Sequence, residues 1–166
     1  MSSANPQRPS ARPRERRTIA RNRSATHEYL ILDEIEAGIV LYGTEVKSLR
    51  GGRCSLQEAY CMIRNGELWL MQMHIPEYAQ GNIHNHKMVR ERKLLAKRME
   101  INKWDRKVRE KGTTLIPLEI LWDGSLVKLR IGLCKGKKLY DKRQAKRERD
   151  DKREMAREAK SGRYGN

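Results

Sequence analysis

Positive charge is concentrated at the two ends of this chain, and this distribution limits the part that can fold around a core. Residues 1–26 carry a net charge of +6, residues 135–166 carry +7, and the segment 27–134 carries only +3. The two ends are also poor in apolar side chains, so they bury too little surface to offset the entropy lost on ordering. We therefore expect one globular body with a basic tail at each end.

Two turn dipeptides of the body, Asn65-Gly66 and Asp123-Gly124, each lie between two runs rich in apolar residues. Such dipeptides are typical of two-residue hairpin loops, because both residues accept a left-handed backbone. We therefore predict two β-hairpins, with Pro117 at an edge or a bulge because it lacks an N–H group. The predicted strands cover residues 27–33, 38–42, 59–64, 67–75, 113–122 and 125–134. The second of these is either a separate strand or a continuation of the first after a kink at Ala37-Gly38.

Two segments of the body are predicted to be helical. The first covers residues 44–50, with Thr44 as the expected N-cap and a Gly-Gly pair at its end. The second and longer helix covers residues 90–111 and ends at Gly112. Its apolar residues recur at helical spacing and should face the core: Leu94, Ile101, Trp104 and Val108.

Strands predominate, so the predicted fold class is mainly β with flanking helices. Closure removes exposed strand edges, which favours a small OB-like closed β-barrel; a helix-capped open sheet is the alternative. We divide the chain into a disordered basic N-terminal tail (1–18), an OB-like barrel domain (19–134) and a C-terminal tail (135–166). The C-terminal tail has good helix formers and almost nothing to bury, so we expect it to be unfolded alone and helical against an anionic surface. A solvated surface helix or a solubilising tail is the alternative.

The composition points to a polyanionic partner. The chain has 37 Lys and Arg against 21 Asp and Glu, a net charge of +16, which favours nucleic acid first and an anionic membrane surface second. It has no apolar run long enough for a membrane span and no apolar signal segment. Three Cys without a CxxC pair indicate a reducing, cytoplasmic location.

The predicted long helix carries a strong excess of basic residues. One face should present Arg92, Lys93, Lys97, Arg98, Lys103, Arg106 and Lys107. This face is either an ordinary solvated surface or a surface that contacts phosphates. Few exposed aromatic side chains are expected, so base stacking should be weak and recognition of a folded RNA by shape is favoured.

The sequence offers little support for catalysis. His84-Asn85-His86 spells HNH, but the nuclease motif of that name spreads over tens of residues, so we interpret the tripeptide as chance. The four His show no zinc-binding spacing, and neither GxxxxGK[ST] nor GxSxG is present. We expect no enzyme activity, metal or cofactor; a metal-dependent nuclease using His84 and His86 is the competing hypothesis.

Several short strings occur in a fixed order along most of the chain. The most specific are GTEVKSLR at 43–50 and KGKKLYDKR at 135–143. The others lie at 19–23, 25–29, 36–38, 92–95 and 127–132. Together they resemble the SmpB (small protein B) family.

The resemblance implies an RNA-binding adaptor of trans-translation with an OB-like barrel and no catalytic role. Members of the family bind the tRNA-like domain of tmRNA and deliver it to stalled ribosomes, where the C-terminal tail probes the decoding centre and the empty mRNA channel. The implied partners are tmRNA and the small-subunit rRNA of the ribosome at the decoding centre. Elongation factor Tu (EF-Tu) and alanyl-tRNA synthetase act on the same tmRNA, and no membrane is involved.

The resemblance also implies site residues at matching positions. The tmRNA-binding residues would be Asn22, Arg23, Glu36, Glu45, Lys47, Arg92, Lys93 and Leu95. The ribosome-binding residues of the tail would be Gly136, Lys137, Lys138, Tyr140, Asp141, Lys142 and Arg143.

Simpler interpretations remain open for three of these residues. In these interpretations, Leu95 would pack in the core, Glu36 would only hold a turn, and Asn22 would only be a turn former. For the whole chain, the alternative function is an OB-type ribosomal or initiation protein that binds rRNA.

Overall fold

The computed structural model describes residues 15–81, 83–110 and 112–161. Within these residues it contains seven strands and four helices: β1 (Arg16–Arg21), α1 (Ala25–Glu28), β2 (Tyr29–Ile39), α2 (Gly43–Arg50), β3 (Tyr60–Arg64), β4 (Glu67–Met71), β5 (Arg92–Leu95), α3 (Arg98–Val108), β6 (Thr113–Asp123), β7 (Leu126–Gly136) and α4 (Leu139–Ser161). Most of the predicted tail 1–18 lies outside the described residues. Its last three residues belong to β1, so that boundary was placed too late.

The strands form one antiparallel sheet in the order β1-β6-β3-β4-β5-β2-β7. β7 also pairs with β6, so the six strands from β2 to β7 pair in a ring and β1 is added to β6. The prediction of a mainly β fold with flanking helices is confirmed.

Both hairpins form, and their loops explain the turn residues. Asn65 and Gly66 adopt φ values of +53° and +72°, as a two-residue loop between β3 and β4 requires. The second loop is Gly124-Ser125, one residue later than predicted, because Asp123 pairs with Leu126 at the end of the ladder. The predicted bulge at Pro117 is confirmed by a register shift between Pro117 and Glu119.

The predicted helix 90–111 is wrong over its first part. Residues 92–95 form β5, which pairs with β2 and β4, and α3 begins only at Arg98. Arg92 and Leu94 are buried while Leu95 is exposed, so the burial alternates as in a strand. Because two of the seven basic residues lie on β5 and Lys97 precedes α3, the predicted basic face is not one helix face.

The predicted strands 27–33 and 38–42 are largely one strand, β2, with a register shift near Leu32. His27 belongs instead to α1. The helix predicted at 44–50 is confirmed within one residue, with Tyr42 rather than Thr44 at its N-cap.

The core is enclosed by the strands and closed by α2 and α3. Leu49 of α2 and Trp104 of α3 are buried against the strand side chains. The strands contribute Cys61, Leu68, Leu70, Leu94, Leu115, Ile120, Leu129, Ile131 and Leu133. Burial raises the pKa of the Cys54 and Cys134 thiols to about 11 and that of Cys61 further, so these thiols stay protonated at neutral pH.

The C-terminal segment is helical over Leu139–Ser161. Lys137 links it to the body: its N–H donates to the Glu28 carbonyl (3.0 Å), and its Nζ donates to the Thr26 carbonyl (2.9 Å). Met155, its one large apolar residue beyond the first turn, is exposed. Among the described residues, no helix combines the length and the apolar character that a bilayer crossing requires.

Candidate nucleic-acid interface

One face of β2 and its extension is directed outwards. Ala37 is buried, and Ile39 and Leu41 pack against the core. Since successive side chains of an extended chain alternate between faces, residues 36, 38, 40 and 42 lie on the other side. The Val40 N–H donates to the Lys93 carbonyl (3.0 Å), so the pairing with β5 continues past the end of the strand.

The neighbouring strands widen this face. Leu95 of β5 and Lys128 of β7 lie opposite Gly38, and Arg130 lies opposite Glu36. We call this surface the outer strip; it consists of Glu36, Val40, Tyr42, Lys93, Leu95, Lys128 and Arg130. From residue 36 to residue 42 it extends about 20 Å, the rise of six extended residues.

Leu95 lies over the bare backbone of Gly38. A Cβ at Gly38 would stand 3.4 Å from the Leu95 Cβ and 3.7 Å from its Cδ1. Leu95 is 56% exposed. Its interpretation as a core residue is therefore wrong, and it presents an apolar side chain among charged neighbours.

Three charged side chains of the outer strip are held in ion pairs. Glu36 accepts two hydrogen bonds from Arg16 (3.0 and 3.2 Å) in the middle of β2, so its interpretation as a turn residue is wrong. Lys93 pairs with Glu67, and Arg130 pairs with Glu119. The surface thus offers cations and acceptors together.

Glu119 anchors one side of this surface. Burial acts to raise the pKa of its carboxyl, but the Thr18 hydroxyl and the charges of Arg21 and Arg130 outweigh burial and hold the pKa below its usual value. The carboxylate therefore stays ionised and fixes both guanidinium groups.

A buried ion pair supports the outer strip from beneath. Glu45 of α2 and Arg92 of β5 are both 0% exposed. Glu45 Oε1 accepts hydrogen bonds from the Nε atoms of Arg92 and Arg90, each 2.9 Å long, and Oε2 accepts one from the Tyr42 N–H (2.7 Å). Arg92 also donates to the Met73 carbonyl (2.8 Å). The pair thereby joins α2, β5 and the outer strip.

The protonation state of Glu45 follows from these contacts. Burial alone would raise the pKa of this carboxyl. The hydrogen bonds from Arg90 and Tyr42 and the charge of Arg92 outweigh burial, so its pKa lies below the usual value. Glu45 is therefore a carboxylate that neutralises buried Arg92.

Three predicted RNA-binding residues are engaged within the body. Glu45 and Arg92 are fully buried, so the prediction that they lie at an RNA surface needs correction: they position Tyr42 and Arg90. Asn22 is also buried; its amide donates to the Leu56 carbonyl (3.2 Å) and the Pro117 carbonyl (3.1 Å). Its side-chain carbonyl accepts from Ser24 and from the N–H of Ala25. For any of these three side chains to contact a partner, its hydrogen bonds within the body would have to break.

Arg23 and Lys47 remain accessible in two separate concavities. Arg23 lines one of about 410 Å³ together with Glu34, Glu119 and Arg130, which adjoins the outer strip. Lys47 lines another of about 270 Å³, where its Nζ lies 5.3 Å from the centre of the Tyr78 ring.

The sequence analysis missed Tyr42 and Arg90, as well as three residues of the outer strip: Val40, Lys128 and Arg130. Tyr42 is 59% exposed, and the Arg90 guanidinium lies 4.1 Å from the centre of its ring. Among the described residues of known exposure, Tyr42 and Tyr60 are the exposed aromatic side chains, so few are exposed, as expected, and Tyr42 is one of them. The alternation of residues 36–42 was the available signal, since apolar residues at 37, 39 and 41 leave Tyr42 on the outer face.

The tail residues begin at the opposite end of the β2–β7 ladder. Gly136 pairs with Tyr29, whereas Lys128 pairs with Gly38, so the two ends lie about 27 Å apart along the strand. A Cβ at Gly136 would meet no atom within 4 Å. The other tail residues follow in the linker and first turns of α4: Lys137, Lys138, Tyr140, Asp141, Lys142 and Arg143.

Two residues of the HNH tripeptide have a structural role, because they make hydrogen bonds within the body. His86 is buried; its Nε2 donates to the Ile75 carbonyl (3.1 Å), and its Nδ1 lies within hydrogen-bond distance of the Thr44 hydroxyl (3.0 Å). The Asn85 amide donates to the Tyr78 carbonyl (2.8 Å). In the part of the chain that the structure describes, no three His, Cys, Asp or Glu residues are grouped to hold a metal ion. His86 is thus occupied in packing the loop.

Comparison with known proteins gives consistent matches. The family model described as "SmpB protein" matches residues 19–161. An SsrA-binding protein of Salinispora arenicola (strain CNS-205) is 55% identical over 149 residues, which cover 89% of this chain and 94% of the relative. An SsrA-binding protein of Acetivibrio thermocellus is 51% identical over 146 residues, 88% of this chain and 95% of the relative.

A solved structure is also similar. It is described as "tmRNA-SmpB: a journey to the center of the bacterial ribosome", and one of its chains matches with a TM-score of 0.62 and 41% identity, covering 72% of this chain and 85% of the other. The resemblance drawn from the strings at 43–50 and 135–143 is thereby confirmed. The chain belongs to the SmpB family.

Proposed function

We propose that this chain binds the tRNA-like domain of tmRNA through the outer strip and delivers it to stalled ribosomes. The observation that carries the proposal is the outer strip itself, a line of exposed apolar, cationic and acceptor groups on a rigid strand face. Membership of the SmpB family and relatives named SsrA-binding proteins support the choice of RNA. The same comparisons do not favour the OB-type ribosomal or initiation protein.

Five side chains of the outer strip match chemical groups on a folded RNA. Lys93, Lys128 and Arg130 neutralise phosphates, which orients the RNA without reading its sequence. Leu95 packs on a ribose or a base, and Glu36 accepts a hydrogen bond from a 2′-hydroxyl group, a contact that DNA cannot make. Arg23 extends the same surface past Glu119. The strip therefore recognises shape and ribose together.

The ring of strand pairs supports a rigid platform for this contact. We interpret the ring from β2 to β7 as an OB-like closed barrel, in which each strand is hydrogen-bonded on both edges. Paired edges hold the outer strip in place before the RNA arrives. Preorganisation of this kind lowers the entropic cost of binding.

The C-terminal tail supplies the second contact in this proposal. It extends from the end of the ladder opposite the outer strip, so a bound RNA leaves it free to reach the decoding centre. Gly136, Lys137, Lys138, Tyr140, Asp141, Lys142 and Arg143 would contact small-subunit rRNA there. An mRNA in the channel would remove the surface against which α4 docks. The tail thus senses an empty channel.

The remaining elements of the proposal follow from the family. The protein acts on cytoplasmic ribosomes as a non-catalytic adaptor, without metal or cofactor. EF-Tu and alanyl-tRNA synthetase are proposed to act on the same tmRNA.

The test is a comparison of three RNAs with the full chain. We expect tight binding to the tRNA-like domain, with a steep decrease in affinity as salt rises, and much weaker binding to an unstructured strand of equal length and to a small-subunit rRNA fragment. Stoichiometric sedimentation with idle ribosomes and no preference for the tRNA-like domain would instead indicate the rRNA-binding alternative.

A further inference from the structure

We propose that Tyr42 stacks on an unpaired base of the bound RNA, with the Arg90 guanidinium as a fixed support behind its ring. This inference rests on the proposed RNA-binding function and adds a specific contact to it. Neither residue was among the predicted site residues.

The position of Tyr42 is fixed by its backbone. It is extended (φ −79°, ψ 158°) as the N-cap of α2, and its N–H donates to Glu45 Oε2 at 2.7 Å. The hydrogen bond from the Val40 N–H to the Lys93 carbonyl of β5 fixes the extended chain two residues before Tyr42. A side chain that starts from such a backbone loses little freedom when it binds a partner.

One face of the ring is covered by Arg90, while more than half of the residue is open to solvent. Arg90 lies over one face at 4.1 Å, and 59% of the residue is still exposed. A solvent-exposed aromatic ring beside cationic side chains is typical of a surface on which nucleobases stack.

Arg90 itself is immobilised by hydrogen bonds. Its Nε donates to Glu45 Oε1 (2.9 Å), its Nη1 to the Glu91 carbonyl (2.9 Å), and its Nη2 to the second oxygen of Glu45. Glu45 is held in turn by buried Arg92. The guanidinium is thus kept against the ring, where it favours the stacked arrangement through a cation–π contact.

The ligand class follows from the geometry of RNA. Bases within a double helix have both faces covered by their neighbours, so a protein ring stacks only on a nucleotide from a loop, a bulge or an end. Stacking needs no hydrogen-bond readout, so the contact should tolerate any base. Tyr42 therefore marks where an unpaired nucleotide meets the outer strip.

The experiment combines Tyr42 variants with single abasic nucleotides placed in turn at each unpaired position of the tRNA-like domain. In the wild-type protein, one position should weaken binding by about 5- to 50-fold, the range for one stacked base. Tyr42→Leu should weaken binding to the intact RNA by the same factor, and the abasic change at that position should then cost nothing further. Tyr42→Phe should bind within about twofold of wild type, and the salt dependence should be unchanged in every variant, since no phosphate contact is lost.

Controls separate this inference from the proposed function. Tyr60→Leu, the same change at an exposed tyrosine of β3 outside the outer strip, should bind as wild type, and the melting temperature of Tyr42→Leu reports any loss of folding. Wild-type affinity of Tyr42→Leu, or equal sensitivity of wild type and variant at every abasic position, overturns the stacking contact but leaves the function standing. If the wild-type protein does not prefer the tRNA-like domain to an unstructured strand, the proposed function fails first.

Discussion

The two ends of the β2–β7 ladder differ in how their side chains are held. At the outer strip, Tyr42 and Arg90 are fixed by the buried Glu45–Arg92 pair, and Leu95 lies against Gly38. At the other end, α4 is joined to the body through Lys137 and carries its charges into solvent. The side chains at the first end are thus held by contacts within the body, whereas α4 is linked to the body mainly through Lys137 just before it. In the proposed function, the first end binds one RNA with side chains already in place, and α4 docks against a second RNA.

The largest expected effect is a loss of tagging without a loss of RNA binding, when the tail is deleted and the outer strip is kept. Deletion of residues 141–166 should abolish trans-translation tagging in a reconstituted system, because the tail supplies the contact with the empty channel. Binding to the tRNA-like domain should stay within about twofold, since the outer strip is untouched. A truncated protein that still supports tagging would contradict the role of the tail.

Loss of the buried carboxylate should have the largest effect on stability. Glu45→Gln leaves Arg92 buried without its counter-charge, which costs about 3–5 kcal/mol. Glu67→Gln is the matched control: it breaks the partly exposed pair with Lys93 and should cost less than about 1 kcal/mol. Urea unfolding of both variants measures the difference, and equal losses would refute the supporting role of Glu45.

Acid should weaken the body through the same carboxylate. Glu45 and Glu119 have pKa values below those of the unfolded chain, so their contribution to stability is present above about pH 4.3, the ordinary Glu value, and is lost as pH falls through their folded pKa values. Urea unfolding between pH 3 and 6 should therefore show a decline for wild type that is shallower for Glu45→Gln. Identical pH profiles for wild type and Glu45→Gln would contradict the lowered pKa of Glu45.

Truncation of the exposed apolar group should affect RNA binding more than folding. Leu95→Ala should weaken binding to the tRNA-like domain by about fivefold, because the lost methyl groups are buried only in the complex. Its unfolding free energy should change by less than about 0.5 kcal/mol, since the side chain is exposed in the free protein. A large loss of stability with unchanged affinity would make Leu95 a core residue after all.

The smallest effect concerns the free tail. Deletion of residues 141–166 should change the free energy of unfolding of the body by less than about 0.5 kcal/mol, because Met155, the one large apolar residue of α4 beyond its first turn, is exposed. Chemical unfolding followed by tryptophan fluorescence measures this, since Trp69, Trp104 and Trp122 all lie in the body.

Local signals predicted the parts of the fold that local chemistry controls. Asn65-Gly66 and Pro117 fixed a loop and a bulge because their backbone preferences are intrinsic. β5 was missed because its four residues become a strand only by pairing with β2 and β4, which lie far apart in the sequence. The same limit explains Glu45 and Arg92, which the family resemblance placed among the RNA-binding residues although each neutralises the other inside the body. Family resemblance singled out Glu36 and Leu95, whereas the alternation of residues 36–42, which places Tyr42 on the outer face, was a signal that the sequence analysis did not use.

The most direct test of the account is the affinity of the full chain for the tRNA-like domain of tmRNA compared with an unstructured RNA of equal length at the same salt concentration. The account predicts a preference of at least about a hundredfold, of the order of specific over non-specific nucleic-acid binding. The preference should shrink in Leu95→Ala. Equal affinity for the two RNAs would contradict the claim that the outer strip recognises a folded RNA.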